Sequence, residues 1–442
     1  ECLTTSKDLA VGRNDGDTKG ALAKAAKTIS AEYHVPYLSH APMETMNCTA
    51  RIDGDKVEIW APTQNAEGTL TTAAQAAGVQ PSNVVVHPIF SGGGFGRRGG
   101  NHNFVAEAVT LAKKMGKPVQ LIWSREQDIQ HDFYRPISSA KFTAGFDAQG
   151  NPVAWTTRIA GHSILSSANP DALKKGPDLG FLICFTDNPY GIENLSVDYA
   201  MRNTHVPVGY WRSVNHSQNG FFRECFVDEM AQAAGAEPFE FRRKLLAKSP
   251  KQLAVLEKAA KAANWETRPS PAKGIRKTGI ARGRGIACVA YEGDNGYSSM
   301  VAEVEVDQAT GAITVKRIVL GHDCGPMSNP DGVRNQIEGG ALQGLSRALG
   351  EEVTWDAEKI FPVDELREAA ALGFGGIVVL VWPEMTHGGA EGAAFVGGVI
   401  AIQLACVGWV IGTSFAKRHE LGDNPFRSAA LQMVFSGTML LT

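Results

Sequence analysis

Apolar and polar residues alternate along Lys56–Ala61, the two-residue period of a half-buried strand. Apolar β-runs stand at Asn83–Phe90 and Val119–Trp123. Between them the spacing turns helical: Phe104, Ala108, Leu111 and Met115 recur on one face, and Gly116 and Pro118 stop the pattern. The same period predicts helices over Gln218–Ala234, Glu237–Ala247 and Leu253–Ala263, with Phe221, Phe222 and Phe226 as core positions. Val301–Val306 and Ala312–Leu320 flank a glycine-containing turn and predict an antiparallel hairpin. Arg268–Gly285, rich in Pro and Gly, reads as a linker or long loop.

Near Asp356 the pattern changes. Ala369–Trp382 and Gly392–Ala416 carry no charged residue, and Ala394–Phe415 is long enough as a helix to match a bilayer core. Gly397, Ala401, Ala405, Gly408 and Gly412 form a small-residue seam suited to helix contact in lipid. Lys359 and Arg367 precede the first run, Lys417 and Arg418 follow the second, and the loop between them holds Glu384 and Glu391. That is the charge bias of a two-helix hairpin with both outer ends cytoplasmic. The expectation is a membrane-associated tail with the soluble part cytoplasmic; without a genuine tail, the chain would be cytoplasmic or periplasmic.

Composition narrows the function classes. The chain has 442 residues, 43% hydrophobic and 20% charged, which is ordinary for a globular enzyme. A net charge of -3 gives no bulk attraction to nucleic acid. Seven dispersed cysteines, without a C-x-x-C pair, fit reduced thiols rather than a disulfide or zinc framework. The chain begins at Glu1 without an initiator Met or signal-peptide pattern, and is expected to be a fragment.

The chemistry-bearing stretch is Ser91–Gly100, which sets Gly92, Gly93, Gly94, Gly96, Gly99 and Gly100 beside Arg97 and Arg98. Glycines let backbone N–H groups converge on an anion, and the arginines would add charge-assisted bonds. A helix N-terminus follows and points at the same place. Three further segments stand out: His40–Cys48 with Trp60–Gln64, Gly209–Val214, and His322–Pro326 leading into Asn335–Gly344. In a helix Gln336, Gly340 and Gln343 share one polar face with little bulk, as a large polar ligand would need. His322 and Cys324 alone make a weak metal pair. Glu44 and His40 read as hydrogen-bonding groups near a turn, and Trp211 as either a pocket wall or a packing residue.

In this order the motifs resemble the molybdenum-binding subunit of the xanthine dehydrogenase and aldehyde oxidase family, and within it the large (beta) subunit of isoquinoline 1-oxidoreductase-like enzymes, from about Tyr33 to Trp355. The resemblance implies an α+β fold of molybdopterin-binding domains, followed here by C-terminal apolar helices. It divides the chain into an upstream remnant or linker (1–32), a first cofactor-binding domain (33–267), a truncated second one (268–356) and the membrane-like tail (357–442). It implies that Gly94, Phe95, Gly96 and Arg97 approach the metal's apical ligand, that Gln64 donates to the same oxygen, and that Trp211, Arg212 and Ser213 contact the metal ligands from the other side. Gly296, Ser298, Gln336 and Gln343 would hold a molybdenum–pterin cofactor in a dinucleotide form. The implied reaction oxidises an aldehyde or N-heterocycle with water as oxygen source. Because the chain has no cluster-binding cysteine pattern, the resemblance implies a small partner subunit carrying [2Fe–2S] clusters.

One departure matters. The family's base glutamate lies in a Gly-x-Gly-Glu motif beyond the Gln-x-x-Gly helix, where this chain turns apolar. Gly388–Glu391 imitates that motif, which makes Glu391 the candidate base, and without a base in place the chain is expected to be inactive. The tail itself resembles helices of an EamA-type drug/metabolite transporter, as in a chimera. Two rival readings remain. Gly94–Gly99 formally matches the G-x-G-x-x-G of NAD(P)-binding folds, and a transporter-like fragment with a non-catalytic soluble domain would also combine these halves.

Overall fold

The computed structural model of the chain describes residues 2–268, 279–293, 295–355 and 360–361. The chain divides into two compact units, residues 1–333 with 352–363 and residues 334–351 with 364–442. In chain order the first unit opens with α1 (Cys2–Thr5), β1 (Ala10–Asp15), α2 (Thr18–Ala23) and β2 (Lys27–Val35). Next come β3 (Asn47–Asp53), β4 (Lys56–Ala61), α3 (Ala66–Ala77), β5 (Val84–Pro88), α4 (Asn103–Met115) and β6 (Val119–Ile122). After α5 (Arg125–Gln130) come β7 (Ser138–Phe146), β8 (Pro152–Gly161), α6 (Leu165–Ala168) and β9 (Asn194–Met201). Three helices, α7 (His216–Ala233), α8 (Pro238–Leu245) and α9 (Pro250–Ala262), precede the strands β10 (Ile280–Tyr291), β11 (Gly296–Asp307) and β12 (Ile313–Asp323). Then α10 (Pro330–Leu349) enters the second unit at Arg334, and β13 (Thr354–Trp355) pairs with β14 (Ile360–Phe361). The architecture is α+β.

The smaller layer is a four-stranded sheet in the order β5-β4-β3-β6. Val57, Ile59 and Ala61 alternate inward on β4, as the sequence period requires, and pack with Cys48 and Ala50 against α3 and α4. Asn65 caps α3 by accepting the Gly68 N–H. On α4 the buried stripe is Phe104, Val105, Ala108, Val109 and Ala112. Leu111 and Met115, expected on that stripe, are exposed, because the face turned to the sheet is set by the i, i+4 rows through 104 and 105. Strand β5 runs parallel to β4, but β3 runs against β4, and the strand after α4 lies at the far edge. An adjacent parallel strand–helix–strand pair around the glycine loop, which the NAD(P)-binding reading needs, is therefore not formed.

The larger layer is a five-stranded sheet, β1-β9-β8-β7-β2, whose β8 and β9 are parallel. Residues 10–15 and 27–35 are its two edge strands. Phe142, Trp155, Leu195 and Val197 pack against Phe222, Phe226 and Met230 of α7. Phe142 and Phe226 stack at 5.0 Å. Phe221, expected in the core, faces outward at 45% exposure, since consecutive helical residues point about 100° apart. The strands β10, β11 and β12 form an antiparallel sheet, with the expected hairpin as β11 and β12.

No helix among the described residues is long and apolar enough to cross a membrane. The runs Ala369–Trp382 and Gly392–Ala416, and with them Glu391, lie outside the described residues.

Candidate functional site: a glycine-loop cradle

The loop after β5 is tied down at its start and end. Glu44 accepts the Gly92 N–H at 2.8 Å through Oε2 and returns its own N–H to the Gly92 carbonyl at 3.0 Å. Arg98 is fully buried; it donates to the Gly93 carbonyl at 2.8 Å, to the Glu44 carbonyl at 2.7 Å and to the Glu44 carboxylate at 3.2 Å. Glu44 is thus a loop anchor. Gln64 is exposed at the loop's rim, with its backbone N–H on the Arg98 carbonyl at 3.1 Å. Its Oε1 accepts the Gly96 N–H at 3.1 Å, which turns its amide –NH2 into the donating end.

Against this loop lies the Gly209–Val214 segment. A Cβ on Gly96 would sit 1.6 Å from the Tyr210 carbonyl oxygen, and one on Gly94 would sit 2.4 Å from Gln64 Oε1. Gly96 also has φ +107, so only glycine fits there without displacing its neighbour. Phe95 at φ 53, Ser213 at φ 65 and Val214 at φ 51 hold left-handed backbone on the two sides of this contact. Left-handed geometry is unfavourable for bulky residues, above all for a β-branched one, and tends to cluster where ligands are clamped. Arg212 stacks over the Phe95 ring at 5.8 Å and joins the two segments; burial lowers the pKa of its guanidinium. Trp211 is buried and donates its indole N–H to the Ser39 carbonyl at 3.1 Å, so it packs beneath the segment.

Beneath both segments sits Asp132, 1% exposed. It accepts the Ser39 hydroxyl at 2.9 Å and the backbone N–H groups of His40 at 2.6 Å and Phe133 at 2.7 Å. His40 Nδ1 is 2.9 Å from Oδ1, and Arg97 Nε is 3.0 Å from the same oxygen. Burial alone would raise this carboxyl, but the His40 charge and hydrogen bond, with Arg97, hold it at about 2. Asp128, buried nearby with Asp132 as a like charge, is pushed up to about 6 despite its Arg125 partner.

Arg97 departs from expectation. Its guanidinium is buried, donates to the Asn101 carbonyl and to Asn103 Oδ1, and lies among the rings of Phe104, Trp123 and Phe133. Arg97 and Arg98 both turn inward and stiffen the loop from below, because a long cationic chain at a tight turn finds carbonyls and carboxylates on the inner side.

Of the expected residues, the structure brings Gln64, Gly94, Phe95, Gly96, Trp211, Arg212 and Ser213 to one place. Gly296 and Ser298 stand on β11, a separate sheet, where Ser298 Oγ bonds His322 Nδ1 at 2.7 Å. Gln336 and Gln343 share one face of α10, in the second unit. No group of three or more His, Cys, Asp or Glu suited to a metal is found among the described residues. The residues that sequence reasoning missed are Asp132 and its partnership with His40. Their signal was slight, a buried Asp beside His131 in an otherwise ordinary helix end.

Models of the molybdopterin cofactor-binding domain match residues 5–246 and 230–370. A nicotinate dehydrogenase subunit of Pseudomonas putida is 28% identical over 383 residues, 84% of this chain and 31% of that protein. The beta subunit of isoquinoline 1-oxidoreductase from Brevundimonas diminuta is 28% identical over 418 residues, 92% of this chain and 51% of that protein. The chain thus spans a third to a half of these relatives. Quinoline 2-oxidoreductase from Pseudomonas putida shares the fold, with a TM-score of 0.69 at 16% identity, over 82% of this chain and 69% of that one.

These matches also correct the transporter-like, membrane-crossing tail and the membrane contact inferred from it. The second domain model runs through residue 370, past the Asp356 boundary, and a match over 92% of the chain exceeds what residues 1–356 can supply. Among the described residues no helix is long and apolar enough to cross a membrane. Uncharged Gly- and Ala-rich runs are equally what a protein interior selects, so hydropathy alone misled. By these domain matches the chain belongs to the molybdopterin cofactor-binding domain family.

Proposed function

We propose that this chain is the cofactor-binding part of a molybdopterin-dependent oxidoreductase acting on an aldehyde or an N-heterocycle. The observation that carries the reading is the Gly96–Tyr210 approach, with left-handed Phe95, Ser213 and Val214 on its two sides. Such strain persists only where the surroundings enforce it, and here two segments present backbone and the Gln64 amide toward one rim. The donor set fits the group: without a thiolate or imidazole cluster among the described residues, a metal would have to bring ligands of its own, as a pterin dithiolene does. When bound, such a cofactor supplies two-electron oxidation of an aldehyde or electron-poor ring carbon with water as oxygen source.

The chain's residues would then do the positioning. Gln64 donates from the rim, the Gly94–Gly96 backbone allows close approach, and Arg212 with Ser213 closes the opposite side. Gly296, Ser298, Gln336 and Gln343 are the proposed holders of the pterin and its appended nucleotide. Glu391 is the candidate base, and a small [2Fe–2S] subunit is the proposed electron acceptor. The heterocycle arm of the proposal draws on the nicotinate and isoquinoline enzymes named above.

The test is to produce the chain in a molybdenum-replete host, then measure molybdenum by mass spectrometry and the fluorescence of the oxidised pterin. Near-stoichiometric metal and pterin are expected. Absence of both, from a folded product, would overturn the proposal.

A further inference from the structure

We propose that His40 is a positioning residue of the cradle, acting as a doubly protonated imidazolium that clamps the Tyr210 carbonyl against the glycine loop. His40 is 2% exposed, and both of its ring nitrogens are engaged. Nδ1 faces Asp132 Oδ1 at 2.9 Å, and Nε2 faces the Tyr210 carbonyl oxygen at 2.9 Å. Asp132 also receives Ser39 Oγ–H, two backbone N–H groups and the Arg97 cation, so it is an ionised carboxylate that only accepts. A carbonyl oxygen likewise only accepts. Either neutral tautomer would place a bare nitrogen lone pair against an oxygen at 2.9 Å. Only the imidazolium donates at both ends.

This protonation state has two consequences. First, the Tyr210 carbonyl is the atom that a Gly96 side chain would strike, and Gly96 itself approaches His40 Nε2: a Cβ there would lie 3.3 Å from it. The ring therefore fixes the contact on which the cradle depends. Second, the imidazolium joins Arg97 on the one buried carboxylate of Asp132, so the two cations and the anion together brace the loop from its inner side.

The inference rests on the cofactor reading only for what the cradle holds, and the experiment separates the two. Long-range ¹⁵N–¹H NMR of the ¹⁵N-histidine-labelled chain, free of cofactor at about pH 7.5, reads each ring's protonation, and His40→Gln assigns the signal. Both His40 ring nitrogens are expected to carry protons; a singly protonated ring overturns the proposal. In molybdenum-replete preparations, His40→Gln and Asp132→Asn are each expected to lower bound molybdenum and pterin roughly 10–100-fold, as loss of an orienting partner does at metal sites. Wild-type loading in a folded variant overturns the clamp, and Asp132→Asn stands in if His40→Gln does not fold. A doubly protonated ring in a wild-type chain that binds no molybdenum upholds the clamp and rejects the cofactor reading.

Discussion

Glu224 on α7 and Asp132 after α5 are both buried carboxylates flanked by two cations, yet they serve different ends. Glu224 takes the Tyr190 hydroxyl at 3.0 Å, Arg223 Nε at 3.1 Å, Arg242 Nε at 3.0 Å and the Cys288 N–H at 3.2 Å. Arg242 continues to Asp228 at 2.6 Å, and Arg223 to the carbonyls of Cys184 and Cys288. The cluster cross-links α7, α8 and β10 into one core. Asp132 instead gathers Ser39, His40 and Arg97 beneath a loop whose backbone is strained and whose rim is open. Equal burial of charge can thus lock a core or hold a strained loop at the surface. The difference lies in what the cations touch next, a regular element or a left-handed turn.

The comparison is broken most severely at Glu224. Glu224→Leu leaves Arg223 and Arg242 buried without their shared counter-charge, and is expected to destabilise the fold by about 3–5 kcal/mol. Urea unfolding measures it. A loss below about 1 kcal/mol would remove the contrast, because the core would then tolerate what only the cradle should.

Gly96→Ala is expected to cost less stability, about 1–3 kcal/mol, but far more loading. The new Cβ meets a carbonyl oxygen held by His40, and the backbone is already at φ +107. The two readouts should separate: molybdenum and pterin lost, with a folded chain remaining. Normal loading in this variant would show that the approach of the two segments is incidental.

Acid titration sharpens the contrast from within the cradle. Asp132 has a folded pKa of about 2, below its ordinary 3.8, so its stabilisation is present above that ordinary value and is lost as pH falls toward 2. Asp128 has the opposite sign: its folded pKa of about 6 means that stability falls as pH rises from about 4 through 6. Asp132→Asn should flatten the lower limb of the stability–pH curve, and Asp128→Asn the upper one. Unfolding midpoints at half-unit pH steps would show it, and unchanged limbs would contradict these assignments.

Much of the fold was legible where one period governs one environment. The alternation of Lys56–Ala61 became β4, and the helices over 216–233, 238–245 and 250–262 stand where their spacing placed them. The five-stranded sheet was not legible: β8 and β9 are joined through a long excursion and pair in parallel, a non-local choice that no window displays. At the site, the glycine run announced close backbone approach, since few other roles demand so many glycines. The inward turn of Arg97 and the Asp132–His40 partnership were hidden, because both depend on residues that lie far apart in sequence, such as 40, 132 and 210. The tail misled for the reverse reason: an uncharged run reports an absence of water without saying whether lipid or protein replaces it.

The smallest expected effect is at Gln64. The side chain is exposed, and its Oε1 accepts the Gly96 N–H at 3.1 Å. Gln64→Ala removes an acceptor at a wet rim, where water can substitute, so stability should change by no more than about 1 kcal/mol. If the amide –NH2 is aimed at the cofactor, molybdenum content or the electron paramagnetic resonance signature of reduced molybdenum should still change. Gln64→Glu divides the two roles: it keeps the acceptor for Gly96 while replacing the donating end with a negative oxygen. A normal unfolding midpoint with altered loading or spectrum in Gln64→Glu is the expected result. Indifference of both variants in every readout would reduce Gln64 to a loop prop and confine the working part of the cradle to the backbone of Gly94–Gly96.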